Sequence, residues 1–392
     1  MAAATKASDR IGTYRISTAG GEEVRAYVPP PLPPKPAVDL GPFYSQIEAA
    51  NRAIGHLDGV TSILPDTPLF LYMYVRKEAL LSSQIEGTQS SLSDLLLYES
   101  NAKPSVPIDD VREVSNYVAA MDLGMRRIKG GLPISNRLLK EIHATLLRKG
   151  RGSTKGPGEF RRSQNWIGGT RPGNALYVPP PPQEVTRCMS DLERFIHEQA
   201  RPLPLLVQAA FAHVQFETIH PFLDGNGRLG RLLITLMLHA QGALKEPVLY
   251  LSLYLKTHRQ TYYDLLQRVR THGEWEAWLT FFLEGIQETS RQAADTAKAI
   301  LKLFEKDRKA IEGLGRPAGS ALQIHQYIQG KPYISVTEAA KALPLSVPTI
   351  RKSIDHLVDL RILSEMTGKR RGKIFVYREY MERLSQGTEP IH

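Results

Sequence analysis

Cysteine is almost absent: Cys188 stands alone in 392 residues. No intramolecular disulfide can form, which is the composition of a chain that folds in a reducing compartment. Long apolar runs are missing as well. The most apolar stretch, Leu232 to Leu238, is far too short to cross a bilayer. The first residues, Met1 to Asp9, are small and polar and lack the apolar segment of a secretory signal. Internal repeats are absent too. These deficits lead us to expect a cytoplasmic protein with no membrane partner. Acidic residues are outnumbered, 40 Asp and Glu against 50 Lys and Arg, for a net charge of +10. The excess suits nucleotides, nucleic acid or acidic protein surfaces, and equally an ordinary solvated basic surface, so the placement of the arginines must decide. Apolar residues make up 42% and charged residues 23%, enough to bury the core of two or three domains.

The chain reads as mostly α. Residues 1–40 form an irregular arm, with Pro29, Pro30, Pro31, Pro33, Pro34 and Pro36 favouring extended backbone laid on the protein's own surface. Helices are expected across 43–99, one of them from Thr67 to about Glu86 with Pro68 in its first turn. Val111, Val114, Val118, Met121 and Met125 mark another at 109–128. Ser135 suits the cap of a helix through Leu147. Residues 150–182 are rich in Gly and Pro, and two short apolar segments flank the turn Thr170 to Asn174, which is a hairpin signal. Helices resume over Gln183 to Gln199, Leu205 to Thr218, Leu229 to Gln241 and about 258–310.

Residues 220–231 read His-Pro-Phe-Leu-Asp-Gly-Asn-Gly-Arg-Leu-Gly-Arg. A helix ends before them and another begins near Arg228. Gly225 and Gly227 permit unusual dihedrals and close approach of a ligand. Asn226 suits the N-cap. Free N–H groups at a helix N-terminus then make a phosphate cradle. Arg228 and Arg231, three apart, share a face and suit a polyphosphate. Asp224 is a hard oxygen ligand for a divalent ion. His220 is the side chain best able to accept a proton near neutral pH. Base, metal ligand, anion cradle and cationic clamps together describe phosphoryl or nucleotidyl transfer.

The segment resembles the signature of the Fic family, His-Pro-Phe-x-(Asp/Glu)-Gly-Asn-Gly-Arg-x-x-Arg, and matches every specified position. The resemblance implies a Fic helical core with a β-hairpin flap. It further implies transfer of AMP from ATP to Ser, Thr or Tyr hydroxyls of target proteins, and of the enzyme itself. His220 would deprotonate the hydroxyl. Asp224 would hold Mg²⁺ or Mn²⁺. Asn226 with the backbone of Gly225 and Gly227 would hold the α-phosphate, Arg228 the β-phosphate and Arg231 the γ-phosphate, while Phe222 anchors the loop. A kinase-like branch carries Lys where this chain has Gly227, which favours AMP transfer. The segment Trp166, Ile167, Gly168 and Gly169 would be the flap that pairs with the target. Tyr262 and Tyr263 would enclose adenine, or else are core aromatics. A homodimer is an expectation at the level of the family.

Ser82 and Glu86 are four apart on one helix face, and Gly87 suits a C-cap. A carboxylate at the negative end of a helix dipole is disfavoured unless a cation meets it. This segment resembles the Fic inhibitory motif, (Ser/Thr)-x-x-x-Glu-(Gly/Asn). The resemblance implies that Glu86 pairs with Arg231 and removes the γ-phosphate clamp.

Residues 316–386 change character. A short helix at Thr337 to Ala340, a longer one capped by Ser346, and strands at Ile362 to Glu365 and Lys373 to Tyr377 around a basic tip at 368–372 resemble a winged helix-turn-helix. Arg351 and Lys352 lie on its second helix, so DNA binding stands beside protein interaction as its use. The expected organisation is an arm at 1–40, an N-terminal helical region with the inhibitory motif at 41–130, a Fic core with its flap at 131–310, and the winged helix at 316–386. Two alternatives stand beside the transferase: a DNA-binding regulator whose core senses nucleotide, and an enzyme that removes AMP with Glu86 positioning a water.

Overall fold

The computed structural model describes residues 10–62, 67–99, 106–197, 203–366 and 372–390, with the backbone alone for 67–70. The segment Met1 to Asp9 and most of the basic tip, 368–371, lie outside the described residues, as do residues 198–199 of the helix expected to reach Gln199.

The first element corrects the expected irregular arm. Residues Thr13–Ala19 (β1) and Glu22–Val28 (β2) form an antiparallel hairpin with Thr13 opposite Val28 and Ala19 opposite Glu22. Its turn is Gly20-Gly21, both at positive φ (55° and 83°), as a tight two-residue hairpin requires. The signal was present, but the prolines downstream masked it. The proline-rich segment itself lies on the protein: Gln215 Nε2 donates to Pro30 O at 2.8 Å and Arg10 Nε to Pro36 O at 2.8 Å.

Three helices follow: Tyr44–Ser62 (α1), Thr67–Ile85 (α2) and Leu92–Glu99 (α3). Then come Ile108–Lys129 (α4) and Asn136–Leu146 (α5), the latter capped by Ser135 Oγ, which accepts from Leu138 N. After an irregular stretch come Pro182–His197 (α6), Leu205–Ile219 (α7) and Asn226–Ala240 (α8). Every residue of α7 from Leu206 to Ile219 is buried, so this helix is a central axis with α6 and α8 packed against it, and α4 packs in turn on α8. The helices expected over about 258–310 are Arg259–His272 (α10), preceded by Ser252–Thr257 (α9), and the 38-residue Trp275–Glu312 (α11). Gly273 at φ 68° breaks them apart. Helix α11 packs along α1 and carries the chain to the C-terminal elements.

Those elements are Ala318–Gly330 (α12), Tyr333–Ser335 (β3), Val336–Ala342 (α13), Val347–Asp359 (α14), Leu363–Glu365 (β4), Ile374–Tyr377 (β5) and Arg378–Ser385 (α15). The three strands form one antiparallel sheet in the order β3-β5-β4. No helix among the described residues is long and apolar enough to cross a membrane.

Candidate active site

The site begins where α7 runs out. His220 closes that helix in the left-handed region (φ 50°, ψ 59°), a conformation that a residue with a side chain adopts at a cost. Buried Arg161 holds it there: its Nε donates to His220 O at 2.9 Å, and its backbone N–H donates to Pro221 O at 2.9 Å. Phe222 is fully buried and stacks on His143 at 3.7 Å between ring centroids. His143 accepts from Gly158 N at Nδ1 (2.9 Å), so the proton lies on Nε2, which donates to Asp224 O at 2.9 Å. The loop is thus gripped on both sides before α8 starts.

Gly225 at φ 76° is the N-cap of α8, not Asn226. Asn226 is the first helical residue, and its side chain is consumed by the loop: Phe222 N donates to Oδ1 and Nδ2 donates to Phe222 O, both at 2.9 Å. The expected side-chain cap is therefore corrected. Asn226 can reach an anion only through its backbone N–H. The N–H groups of residues 226–228 have no intrahelical acceptor in a helix that starts at 226, and they point where the dipole favours negative charge.

A carboxylate from the same chain stands beside this first turn. Helix α2 ends at Ile85 in a Schellman motif, with Gly87 N donating to Gln84 O (3.0 Å), Thr88 N to Ser83 O (3.3 Å) and Gly87 at φ 98°. This ending turns Glu86 across to α8. Its Oε1 accepts from Arg231 NH2 at 2.7 Å across 145 residues of sequence. Ser82, one turn earlier, accepts from the same guanidinium at Oγ (2.8 Å, from Nε) and at its carbonyl (2.9 Å, from NH2). Burial alone would raise the Glu86 pKa, but Arg231, then Arg228 and His220, hold it below the usual carboxylate range. Gly227 is what allows the approach: a Cβ there would lie 2.2 Å from Glu86 Oε1. Its backbone is ordinary helix, so closeness, and not a special dihedral, requires glycine at this position.

Arg228 is buried and bridges two acids, Glu113 Oε1 at 3.0 Å and Asp224 Oδ1 at 3.2 Å. Glu113 is held in turn by Arg151 at 3.0 Å. Asp224 Oδ1 also accepts from Gly225 N at 2.6 Å. Its carboxylate remains about a third exposed, 32%. Among the described residues no three His, Cys, Asp or Glu cluster as metal ligands. One exposed carboxylate beside an anion cradle fits Mg²⁺ or Mn²⁺ that takes its other ligands from phosphate and water.

The imidazole of His220 is desolvated, and the cations Arg161 and Arg270 add to this, so its pKa falls to about 3 despite Glu86 and the Glu217 carbonyl. A lowered histidine pKa keeps the neutral, proton-accepting form as pH falls. In the nucleotide-free protein, the ring resonances of His220 are expected to stay at neutral-form positions from about pH 8 down to about pH 5, where an unperturbed imidazole titrates near 6.5. A midpoint near 6.5 in an NMR titration would contradict this environment.

The two tyrosines separate. Tyr262 is 1% exposed, and its hydroxyl pairs with His213 Nε2 at 2.9 Å, so it is a core aromatic that cannot line a nucleotide pocket. Tyr263 is 37% exposed, with the Arg259 guanidinium 5.3 Å from its ring, and stays at the rim near Glu86 and Arg231. The expected flap is also reduced. Only Ile167 and Tyr177 pair, exchanging N–H···O bonds of 2.8 and 3.1 Å, around a 3-10 turn at Pro172–Asn174. Gly168 and Gly169 at positive φ, with Pro172 and Pro179, stop the ladder there. Trp166 is 37% exposed on the outer side. Sequence reasoning missed His143, Arg161 and Glu113. Each acts through long-range contacts that no local spacing announces.

Residues 44–126 match the family model described as Fic/DOC family N-terminal, and residues 133–238 match that of the Fic/DOC family. The protein adenylyltransferase Fic of Aedes aegypti is 30% identical over 266 residues, covering 61% of this chain and 49% of that protein. The one of Culex quinquefasciatus is 32% identical over 213 residues, covering 52% and 39%. The chain thus spans about half or less of the length of these curated relatives. Among solved structures, a Fic family protein from Desulfovibrio desulfuricans G20 superposes with a TM-score of 0.57 at 19% identity, covering 87% of this chain and 97% of that one. A Fic-domain signalling protein from Bacteroides thetaiotaomicron VPI-5482 gives 0.51 at 18% identity, covering 65% and 97%. These two likenesses establish the mostly helical fold.

Proposed function

Because the chain belongs to the Fic/DOC family through residues 44–126 and 133–238, we propose that it is a protein adenylyltransferase that moves AMP from ATP to a hydroxyl side chain and is held in check by Glu86. One observation carries the reading. The N-terminus of α8 presents free N–H groups beside a desolvated histidine, and the chain's own Glu86 stands over its first turn at Gly227, paired with Arg231.

In the reaction, His220 accepts the proton of the target hydroxyl as that oxygen attacks the α-phosphorus. The bond from the α-phosphorus to the bridging oxygen breaks and pyrophosphate leaves. The N–H groups of residues 226–228 stabilise the charge that develops on the α-phosphate. Arg228, oriented by Glu113, faces the β-phosphate, and Arg231 the γ-phosphate once Glu86 has left it. Asp224 would hold the divalent ion, which when bound neutralises phosphate charge. The exposed edge around Trp166 to Gly169 receives the target as an added strand.

Labelling with ATP carrying radioactive α-phosphate tests the proposal. Label is expected to enter protein, to be lost with a chelator, and to fall at least about 100-fold in Asp224→Ala, the scale on which a misplaced phosphate clamp acts. Label from the γ-phosphate instead would reassign the protein as a kinase-like member.

A further inference from the structure

The β1–β2 hairpin lies against the flap. Tyr27 N donates to Val178 O at 2.9 Å, so β2 pairs with the inner edge of the flap's second segment. The rings of Tyr27 and Tyr177 meet at 6.2 Å. Glu22 Oε2 accepts from Arg171 NH1 and from Gly173 N, both at 2.9 Å, tying down the tip. Ser17 Oγ donates to Gln164 Oε1 at 2.8 Å, and the same amide donates to Pro179 O at 2.9 Å, joining the two legs at the base. The hairpin thus touches the flap at base, edge and tip, and leaves the outer edge, where Trp166 is exposed, uncovered.

We infer that the hairpin is a positioning element for target docking, resting on the proposed role of the flap. A flap with one β pair of its own is marginal in water. Any disorder in it must be removed when a target strand docks, at a cost in affinity. By ordering the flap beforehand, β1–β2 sets the height of residues 165–169 over His220, and Glu22 is its most separable contact.

The test uses the full chain with Glu86→Gly, and dephosphorylated casein as an unfolded, hydroxyl-rich probe. Glu22→Ala is expected to raise the KM for casein roughly 3- to 10-fold, the scale of one half-exposed charge-assisted contact. kcat and the KM for ATP should hold within about 2-fold, the pattern of lost uniform binding. Glu22→Gln, which still accepts from Gly173 N, should recover part of the loss. Hydrogen exchange of amides 165–174 should quicken in Glu22→Ala. Unchanged exchange there, or an equal fall in kcat, would overturn the inference. If Glu86→Gly labels nothing, the transferase reading fails, while exchange still decides the role of the hairpin.

Around the C-terminal end of α2, separate contacts carry an independent inference. Buried Gln84, two residues before Glu86, donates from Nε2 to Thr388 O at 2.8 Å and to Ser90 O at 2.9 Å. Its Oε1 accepts from Lys256 Nζ at 2.8 Å, and that ammonium also meets the carbonyls of Gly387 and Glu389. Thr388 is 4% exposed, and Arg259 Nε donates to Ile85 O at 3.2 Å. The geometry points to residues 387–389 as a latch on the inhibitory turn, so that events in the C-terminal elements reach Glu86 through Gln84. This rests on the proposed role of Glu86.

Lys256→Met keeps the apolar stem and removes the ammonium. It is expected to raise autolabelling of the otherwise unchanged chain roughly 3- to 10-fold, within the usual range of allosteric coupling. It should add nothing in a Glu86→Gly chain, because the brake is already gone. Hydrogen exchange should quicken together at 82–88 and 385–390. An unchanged rate, or a rise that adds to that of Glu86→Gly, would overturn the latch. If Glu86→Gly is itself not activated, the brake fails, and joint exchange still reports whether the tail holds α2.

Discussion

Glu86→Gly is expected to raise AMP transfer roughly 10- to 100-fold, corresponding to about 1–3 kcal/mol of coupling between the inhibitory turn and the nucleotide site. The carboxylate does two things at once. It neutralises Arg231 at 2.7 Å, and it stands where a Cβ on Gly227 would be, over the N-terminus of α8. ATP must displace it on both counts before its γ-phosphate reaches Arg231. Gly suits the position because the turn is already shaped by Gly87, and Glu86 is a third exposed, 33%, so removing its side chain costs mainly the pair with buried Arg231. Arg231→Ala in the same chain should abolish the gain, since the freed clamp is then missing. The measurement is initial rate of label transfer at fixed ATP, with nucleotide affinity measured separately. A rate in Glu86→Gly equal to that of the parent chain would remove the brake from the account. Loss of Arg231 also takes a donor from Ser82 Oγ and one from its carbonyl in the core, so thermal unfolding of the double variant should be checked before its activity is read.

His220→Ala in the Glu86→Gly chain is expected to lower transfer by about 10²- to 10⁴-fold, the usual weight of a general base. ATP binding should hold within a few-fold, because the phosphate cradle is backbone and Arg228 is fixed by Glu113 and Asp224. The fall should lie in kcat, which marks a group used in the transition state. The substitution is mild for the fold. The backbone at φ 50° is held by Arg161 Nε and by the helix-ending bond from His220 N to Phe216 O at 2.9 Å, and neither uses the imidazole. If transfer survives in His220→Ala, the base lies elsewhere and the role assigned to this residue fails. Phe222→Ala is the useful contrast. It should cost stability, about 3–5 kcal/mol for a fully buried aromatic, and so lower activity together with folding.

Local patterns carried much of this protein into view. The spacing of Val111, Val114, Val118 and Met121 placed α4, and Ser135 placed the start of α5, because face and cap are decided within a few residues. The chemistry of 220–231 was legible for the same reason: base, carboxylate, glycines and arginines lie within one loop and one turn of helix. Ser82, Glu86 and Gly87 likewise disclosed a helix end with a misplaced carboxylate. Tertiary structure decided the rest. That Asn226 braces Phe222 and leaves the cap to Gly225, that Tyr262 turns inward while its neighbour Tyr263 stays at the rim, and that His143, Arg161 and Glu113 converge on the loop depend on which helices pack around α7. Apart from the Asn226–Phe222 brace, four residues long, such contacts join residues tens to more than a hundred positions apart. Their geometry follows from how whole helices bury their apolar faces, and a periodicity read along the chain carries no term for it.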